Sequence, residues 1–330
     1  MAKYAVYGLG NALVDYEIEV TEAFLEEGGI QKGVMELVDD AQQQATLARA
    51  DDGHHNRSCG GSAANTIIGV AQLGGNVFYS CKIADDETGD FFLDGLKQLN
   101  VDSNTHATRE AGASGKCIVM VTPDADRTMQ TCLGISAELS SDDIDKNALA
   151  NSEYLYIEGY LVSSDSARLA AIEAKSFAEK NKVKTAFTLS DPAMAEFFNL
   201  GMQQMIGDGV DLLFCNEEEA ITFTKTEDLN AALEGLKPFA KKIAITLGAN
   251  GALLFDGNTT INIEAPKVTA IDTNGAGDLF AGGVLYGLTH GMSFTDAGTL
   301  ACRLSSQLVT QFGARLSAEQ TREIYRAGLG

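Results

Sequence analysis

The residues of this chain best suited to chemistry sit in the stretch Asp272-Thr273-Asn274-Gly275-Ala276-Gly277-Asp278. Gly275, Ala276 and Gly277 leave backbone N–H groups uncovered, and residues 279–288 read as a helix whose start adds partial positive charge. Such a turn attracts phosphate oxygens. Asp278 sets a carboxylate in the same turn, where a nearby anion repels it. It is either a helix cap, a common use of Asp, or the base for a hydroxyl that attacks a phosphoryl group. The apolar, β-branched residues 268–271 read as a strand leading into the turn.

Other polar groups recur where apolar runs end. Asn11 and Asp15 bracket Ala12-Leu13-Val14, just past strand-like residues 4–9. If that strand is central in a parallel sheet, its end opens on a ligand crevice. Asp15 then either accepts hydrogen bonds from two neighbouring sugar hydroxyls or forms an exposed turn. Gly8-Leu9-Gly10 is not a dinucleotide fingerprint: the third glycine would fall at Leu13, and residues 14–20 alternate as a strand does. Gly60-Gly61 precede Ser62, a good helix cap, and an Ala/Ile-rich helix running to about Leu73. Asn65, near its first turn, is dispensable for packing and free to bind a ligand hydroxyl, although small residues here also suit a helix packed tightly on a sheet.

Two more groups follow later in the chain. Asn216 and Glu219 open a helix, where they either hold water around Mg²⁺ or complement the helix dipole, at about 0.3–1 kcal/mol each. Thr246-Leu247-Gly248-Ala249-Asn250-Gly251 either approaches a nucleotide phosphate or makes a plain hairpin. Arg127 is a cation in an acidic chain. It suits two phosphate oxygens, or an exposed hairpin position. His54 and His55 read as solvated loop residues within 51–58. Ala301, Cys302 and Ser305 line either a flat nucleobase or a helix–helix contact.

The elements that must position these groups are legible as a rhythm. Strands are predicted at 77–83, 117–122, 127–133, 154–160, 184–189, 211–215 and 243–246, with helices at 39–50, 90–99, 166–181, 194–206, 217–224 and 293–311. Residues 28–38 read as a projecting hairpin, as do 117–133 around Pro123-Asp124-Ala125-Asp126. From residue 143 the β/α alternation predicts an α/β fold with a doubly wound, mainly parallel sheet and right-handed crossovers.

Composition narrows the function. Acidic residues outnumber basic ones 46 to 24, and the net charge of −22 repels nucleic-acid polymers and anionic membranes. The six cysteines form no Cys-x-x-Cys pair and read as reduced, buried small residues. No stretch holds the roughly 18 apolar residues of a membrane span, and the first residues lack a signal-peptide pattern. A cytoplasmic location is expected.

Together these residues resemble the ribokinase-like (PfkB-type) superfamily of carbohydrate and nucleoside kinases, over nearly the whole chain. Residues 272–278 with Gly282-Gly283 are similar to its C-terminal signature, Gly60-Gly61 with Asn65 to its N-terminal one, and Asn216 to Glu219 to its Asn-x-x-Glu. The resemblance implies that Asp278 is the catalytic base and that Gly275, Ala276 and Gly277 form the anion hole. It implies acceptor binding by Asn11, Asp15, Gly60, Gly61 and Asn65. ATP would lie along Asn216, Thr246, Gly248, Gly251, Asp272 and Asn274, with Mg²⁺ organised by Asn216 and Glu219 and a monovalent cation left open. A large α/β unit (1–14, 39–111 and 134–330) would carry a small β lid (15–38 and 112–133), and Arg127 would stand on that lid near the transferred phosphate. The opening Gly10-Asn11-Ala12-Leu13-Val14-Asp15 looks like that of adenosine-kinase-like bacterial members. The expected reaction is therefore phosphorylation of a nucleoside, adenosine foremost, by a monomer or homodimer. A sugar kinase for ribose, fructose or a keto-sugar acid, and a non-catalytic nucleoside or sugar sensor, are the alternatives.

Overall fold

The computed structural model describes residues 2–50, 56–104, 109–124 and 126–328, with Asn56 described by its backbone alone. His54, His55 and the turn residue Ala125 lie outside the described residues. In chain order the strands are β1 Tyr4–Leu9, β2 Leu13–Glu19, β3 Met35–Leu37, β4 Asn56–Gly60, β5 Val77–Ser80, β6 Asp102–Ser103 and β7 Gly115–Val121. They continue with β8 Arg127–Cys132, β9 Ser152–Glu158, β10 Lys184–Thr188, β11 Val210–Asn216, β12 Ala240–Thr246, β13 Ala252–Phe255 and β14 Thr260–Ile263.

Among the described residues nine strands form one sheet in the order β14-β13-β12-β11-β10-β9-β1-β5-β6, parallel from β12 through β6. Strands covered on both faces should be apolar along their middles, and they are, with polar residues such as Glu153, Lys184, Asp211 and Lys241 kept near the strand starts. Val6, Tyr154 and Tyr156 enter one core while Tyr7, Leu9, Leu155 and Ile157 enter the other. Helices Ser62–Leu73, Ala276–Thr289 and Phe294–Leu308 cover the first face, and Asp165–Lys180, Glu217–Thr224 and Leu229–Leu236 contribute to the second. The doubly wound α/β architecture is as the alternation predicts.

Among the described residues a second sheet of five strands runs β3-β8-β7-β2-β4. Its residues alternate with period two. Ile18, Ile118 and Met120 pack outward into a small core with Leu25 and Ile30, whereas Asp15, Cys117, Val119, Met129 and Thr131 face a cavity.

Several local expectations change. Residues 28–38 form no hairpin: helix Glu22–Gly28 ends in left-handed Gly29, and β3 pairs parallel to β8. Asn56–Gly60 is not loop but pairs antiparallel with β2. Residues 268–271 are no strand. Val268 and Ile271 are exposed, and the N–H groups of Ile271 and Asp272 bond Val309 O at 2.6 and 3.2 Å, so this segment is held by a helix end and not by the sheet. The helix expected over 194–206 breaks into Pro192–Phe197 and Asn199–Ile206. All six cysteines are free and buried. Among the described residues no helix is long and apolar enough to cross a membrane.

Candidate active site

The parallel strands end on one side of the sheet, and the chemistry-bearing residues gather there, as expected for an open α/β sheet. Asn11 follows β1, Glu158 ends β9, Asp191 follows β10, and Asn216 ends β11 beside Thr246 of β12. The second sheet faces these ends across a cavity of about 340 Å³ that admits Asn11, Asp15, Asn65, Glu219, Asn274 and Asp278. A larger cleft of about 840 Å³ opens at the opposite strand ends, lined by Lys182, Lys184, Lys237 and Lys241, and contains none of these residues.

Asp278 is not a cap. Helix Ala276–Thr289 is capped by Gly275 in the left-handed region (φ 73°), leaving Asp278 as its third residue. Its carboxylate accepts from Ser62 Oγ at 2.6 Å and from Asn65 Nδ2 at 3.0 Å. Ser62, expected to cap its own helix, gives its hydroxyl to this carboxylate; Gly61 stands at the cap position instead. Burial pushes the Asp278 carboxyl up to about 6, against the pull of those two donors. It is thus ionised at neutral pH while close enough to titration to take a proton. Asn65 Oδ1 is buried without a hydrogen-bond partner.

The anion turn is braced from outside. A Cβ on Gly275 would collide with the Ala314 carbonyl, whereas Gly277 has nothing within 4 Å of its Cβ direction. Asp272 is buried and accepts from Asn274 N at 3.0 Å and Gly313 N at 2.8 Å, and it pairs with Arg127 at 2.7 Å. Arg127 also stands 3.7 Å from Glu17. It therefore links the second sheet to the anion turn in this state.

Asp15 lies over Gly60, where any Cβ would overlap its carboxylate. The left-handed Gly61 (φ 99°) fits against Asn11 O, which a Cβ would approach to 2.5 Å. Burial pushes Asp15 up to about 7, opposed first by the Arg315 guanidinium. Glu158, which no spacing in the sequence marks, is 1% exposed and accepts from Asn11 N at 2.7 Å and Ala63 N at 2.8 Å. Gly10 makes room for it. Burial pushes its carboxyl up to about 7 as well. The turn after β1 and the helix start at Ser62 thus hang on one carboxylate.

Asn216 and Glu219 form a reciprocal capping pair. Asn216 Oδ1 accepts from Glu219 N at 2.7 Å, and Glu219 Oε1 accepts from Asn216 Nδ2 at 2.7 Å. Glu219 also accepts from Asn216 N at 3.1 Å, and burial pushes its carboxyl up to about 7. Both side chains thus serve the helix start, through a capping box, and both also line the cavity. Among the described residues no group of three or more His, Cys, Asp and Glu is placed to hold a metal ion. A single carboxylate with spare lone pairs fits Mg²⁺ carried mainly by phosphate oxygens and water, not a protein cage. Thr246, left-handed Gly248 and Gly251 lie one strand farther out; Gly248 faces open space and Gly251 packs on Ile263 O. Ala301 packs on Gly283, and Ser305 Oγ bonds Ala276 O at 2.8 Å, in keeping with helix packing.

A carboxylate beside uncovered amides at a helix start, facing a polar pocket across a small sheet, defines a small-molecule kinase. The chain belongs to the pfkB family of carbohydrate kinases, whose pattern matches residues 34–321. It is a phosphotransferase with an alcohol group as acceptor, acting on a sugar or nucleoside. It superposes on the adenosine kinase from Sinorhizobium meliloti with a TM-score of 0.90 at 34% identity, covering 99% of each chain. It also superposes on the probable sugar kinase protein from Rhizobium etli CFN 42 with a TM-score of 0.92 at 32% identity, over 100% of each chain. The ribokinase of Mus musculus is 30% identical over 244 residues, 70% of this chain and 71% of that protein. The ribokinase-like fold and adenosine-kinase-like kinship follow.

Proposed function

We propose that the chain transfers the γ-phosphoryl group of ATP to the 5′-hydroxyl of adenosine. The observation that carries the nucleoside reading is the inner face of the second sheet. Across the strands, one row of register partners reads Asp15, Cys117, Thr131 and Leu37; the next reads Glu17, Val119, Met129 and Met35. The face passes from carboxylates on β2 to apolar side chains on the edge strand β3. A ribose at the Asp15 end places a flat, uncharged base against Met35, Leu37 and Met129, whereas a free pentose leaves that apolar wall facing water.

In this mechanism Asp15 accepts hydrogen bonds from the ribose hydroxyls, and Asn65 Oδ1 takes a further one. The 5′-hydroxyl then faces Asp278, which removes its proton as the oxygen attacks phosphorus in line. The amides of Gly275 to Gly277 take up charge on the transferring oxygens. Glu219 and Asn216 would hold the waters of Mg²⁺, which supplies charge neutralisation along the triphosphate. Thr246, Gly248 and Gly251 flank the nucleotide, and Asp272 with Asn274 fixes the turn beneath it. The second sheet acts as a lid whose closure excludes water. Arg127 exchanges Asp272 for phosphate oxygens as it closes.

The kinship with the sugar kinases gives a second reading, phosphorylation of a free sugar. A coupled ATP assay over adenosine, other nucleosides, ribose, fructose and a keto-sugar acid separates the two. The expected result is a kcat/KM for adenosine at least about a hundredfold above that for ribose; the reverse order overturns the nucleoside reading.

A further inference from the structure

Among the described residues lining the two cavities that meet at Asp15, the basic side chains are Arg127 and Arg315. Arg127 is committed to Asp272 and Glu17. Arg315 has no place in the steps above, yet its surroundings are specific. It ends a short segment fastened to the anion turn: Gly313 N–H donates to Asp272 Oδ2 at 2.8 Å, and the Ala314 backbone fills the space beside Gly275. From there Arg315 reaches the second sheet, where Nη2 donates to the Cys59 carbonyl. In the register of β2 with β4, Val14 faces Cys59 and Asp15 faces Ser58, so this bond sets the guanidinium beside Asp15. Arg315 and Asp15 line a side cavity of about 210 Å³. On the other flank Asp15 rests on Gly60, which leaves its carboxylate no retreat.

We propose that Arg315 is a positioning residue for the acceptor. It holds Asp15 aimed at the acceptor's hydroxyls, and it ties the acceptor turn at Cys59–Gly61 to the segment that braces the anion turn at 272–278. The inference rests on reading Asp15 as an acceptor ligand. A protonated Asp15 donates from one oxygen and loses its capacity to accept from two hydroxyls. The groups facing it are Arg315 from the C-terminal segment, Asp278 from helix Ala276–Thr289, Arg127 from β8, Glu17 from its own strand, and the thiols of Cys117 on β7 and Cys59 on β4. Two carboxylates and burial press Asp15 toward the neutral form; Arg315 leads the opposition. The Arg315 side chain thus braces the acceptor side of the site from a backbone segment that Gly313 and Ala314 anchor on the anion turn.

The test uses the full chain with Arg315→Met and Arg315→Lys. Carboxyl-detected NMR, with Asp15 assigned through Asp15→Asn, reads its titration directly. The midpoint should rise by about one pH unit in Arg315→Met and by less in Arg315→Lys. Kinetics read the consequence. With adenosine, or whichever nucleoside or sugar the parent chain phosphorylates, KM for the acceptor should rise about tenfold in Arg315→Met while KM for ATP stays within twofold. The acid limb of kcat/KM should move to higher pH, and Arg315→Lys should recover most of the loss. An unmoved Asp15 titration in folded Arg315→Met overturns the proposal. So does an equal rise in both KM values in both variants, which marks a merely structural strut. If the parent chain phosphorylates no nucleoside or sugar, the kinase reading fails separately, and the titration still decides Arg315's hold on Asp15.

Discussion

Replacing Asp278 by Asn tests the chemistry at its centre, and the structure limits what else the change disturbs. The carboxylate accepts from Ser62 Oγ at 2.6 Å and Asn65 Nδ2 at 3.0 Å. In Asp278→Asn the new amide keeps one acceptor for Ser62 and turns an NH₂ toward Asn65. That clash of donors has a ready solution, because Asn65 Oδ1 is buried without a partner and a side-chain flip presents it. The fold therefore survives; proton acceptance is lost, and the flip also withdraws the Asn65 oxygen offered to the substrate, so KM for the acceptor should rise modestly beside the fall in kcat. Loss of a general base lowers rates about 10²–10⁴-fold, on the order of 3–5 kcal/mol of barrier. ATP binding should persist or tighten, since a negative charge leaves the anion turn. Stopped-time ATP consumption with acceptor present gives kcat, and titration calorimetry gives ATP affinity. In the parent chain kcat should fall tenfold per pH unit below the Asp278 midpoint near 6 and level off above it, because the ionised form is the base. A variant turning over within about threefold of the parent, or a parent rate that climbs as pH falls below 6, would refute Asp278 as the base.

Four other outcomes rest on particular contacts. Gly275→Ala should destabilise the fold, by roughly 1–3 kcal/mol for a non-glycine at positive φ plus the clash with Ala314 O, read as a lowered Tm. Gly277→Ala, with open space at its Cβ, should raise Tm, by up to about 1 kcal/mol of helix propensity, while weakening ATP in the same preparation; a parallel fall in both variants would contradict the distinction drawn between these glycines. Gly60→Ala should displace the Asp15 carboxylate and raise KM for the acceptor about tenfold or more with KM for ATP unchanged, measured by initial rates. Ligand-free stability should increase from pH 8 to pH 5, because Glu158 titrates near 7 when folded against 4.5 ordinarily. The folded state then binds more protons in that window, so the contribution is present below about 4.5, is lost through 7, and amounts to on the order of 3 kcal/mol for this buried group. Chemical denaturation across pH should show a shallower dependence in Glu158→Gln, even though that variant loses an acceptor for Asn11 N or Ala63 N.

The large sheet was legible because its strands are short, apolar and regularly alternated with helices, and the ribokinase-like resemblance followed from local spacing at 60–65, 216–219 and 272–278. What escaped are features set by tertiary pairing. Asn56–Gly60 looks like the end of a polar loop because only its partner β2 supplies ladder bonds. Residues 268–271 carry β-branched side chains with no sheet to join, so propensity misleads there. Ser62 carries the signature of a helix cap, and only proximity to a helix more than two hundred residues later redirects its hydroxyl. Glu158 had one faint mark: a carboxylate closing the apolar run Tyr154-Leu155-Tyr156-Ile157, followed by Gly159. In a parallel sheet such a group cannot face a core without donors. Its two donors are backbone amides at Asn11 and Ala63, which a sequence never prints as side chains. The same holds for Arg315, whose partner is a carbonyl. Residues that act on ligands announce themselves by type and spacing. Those that hold the backbone around the ligand do so through peptide groups, so they emerge only when the chain is folded.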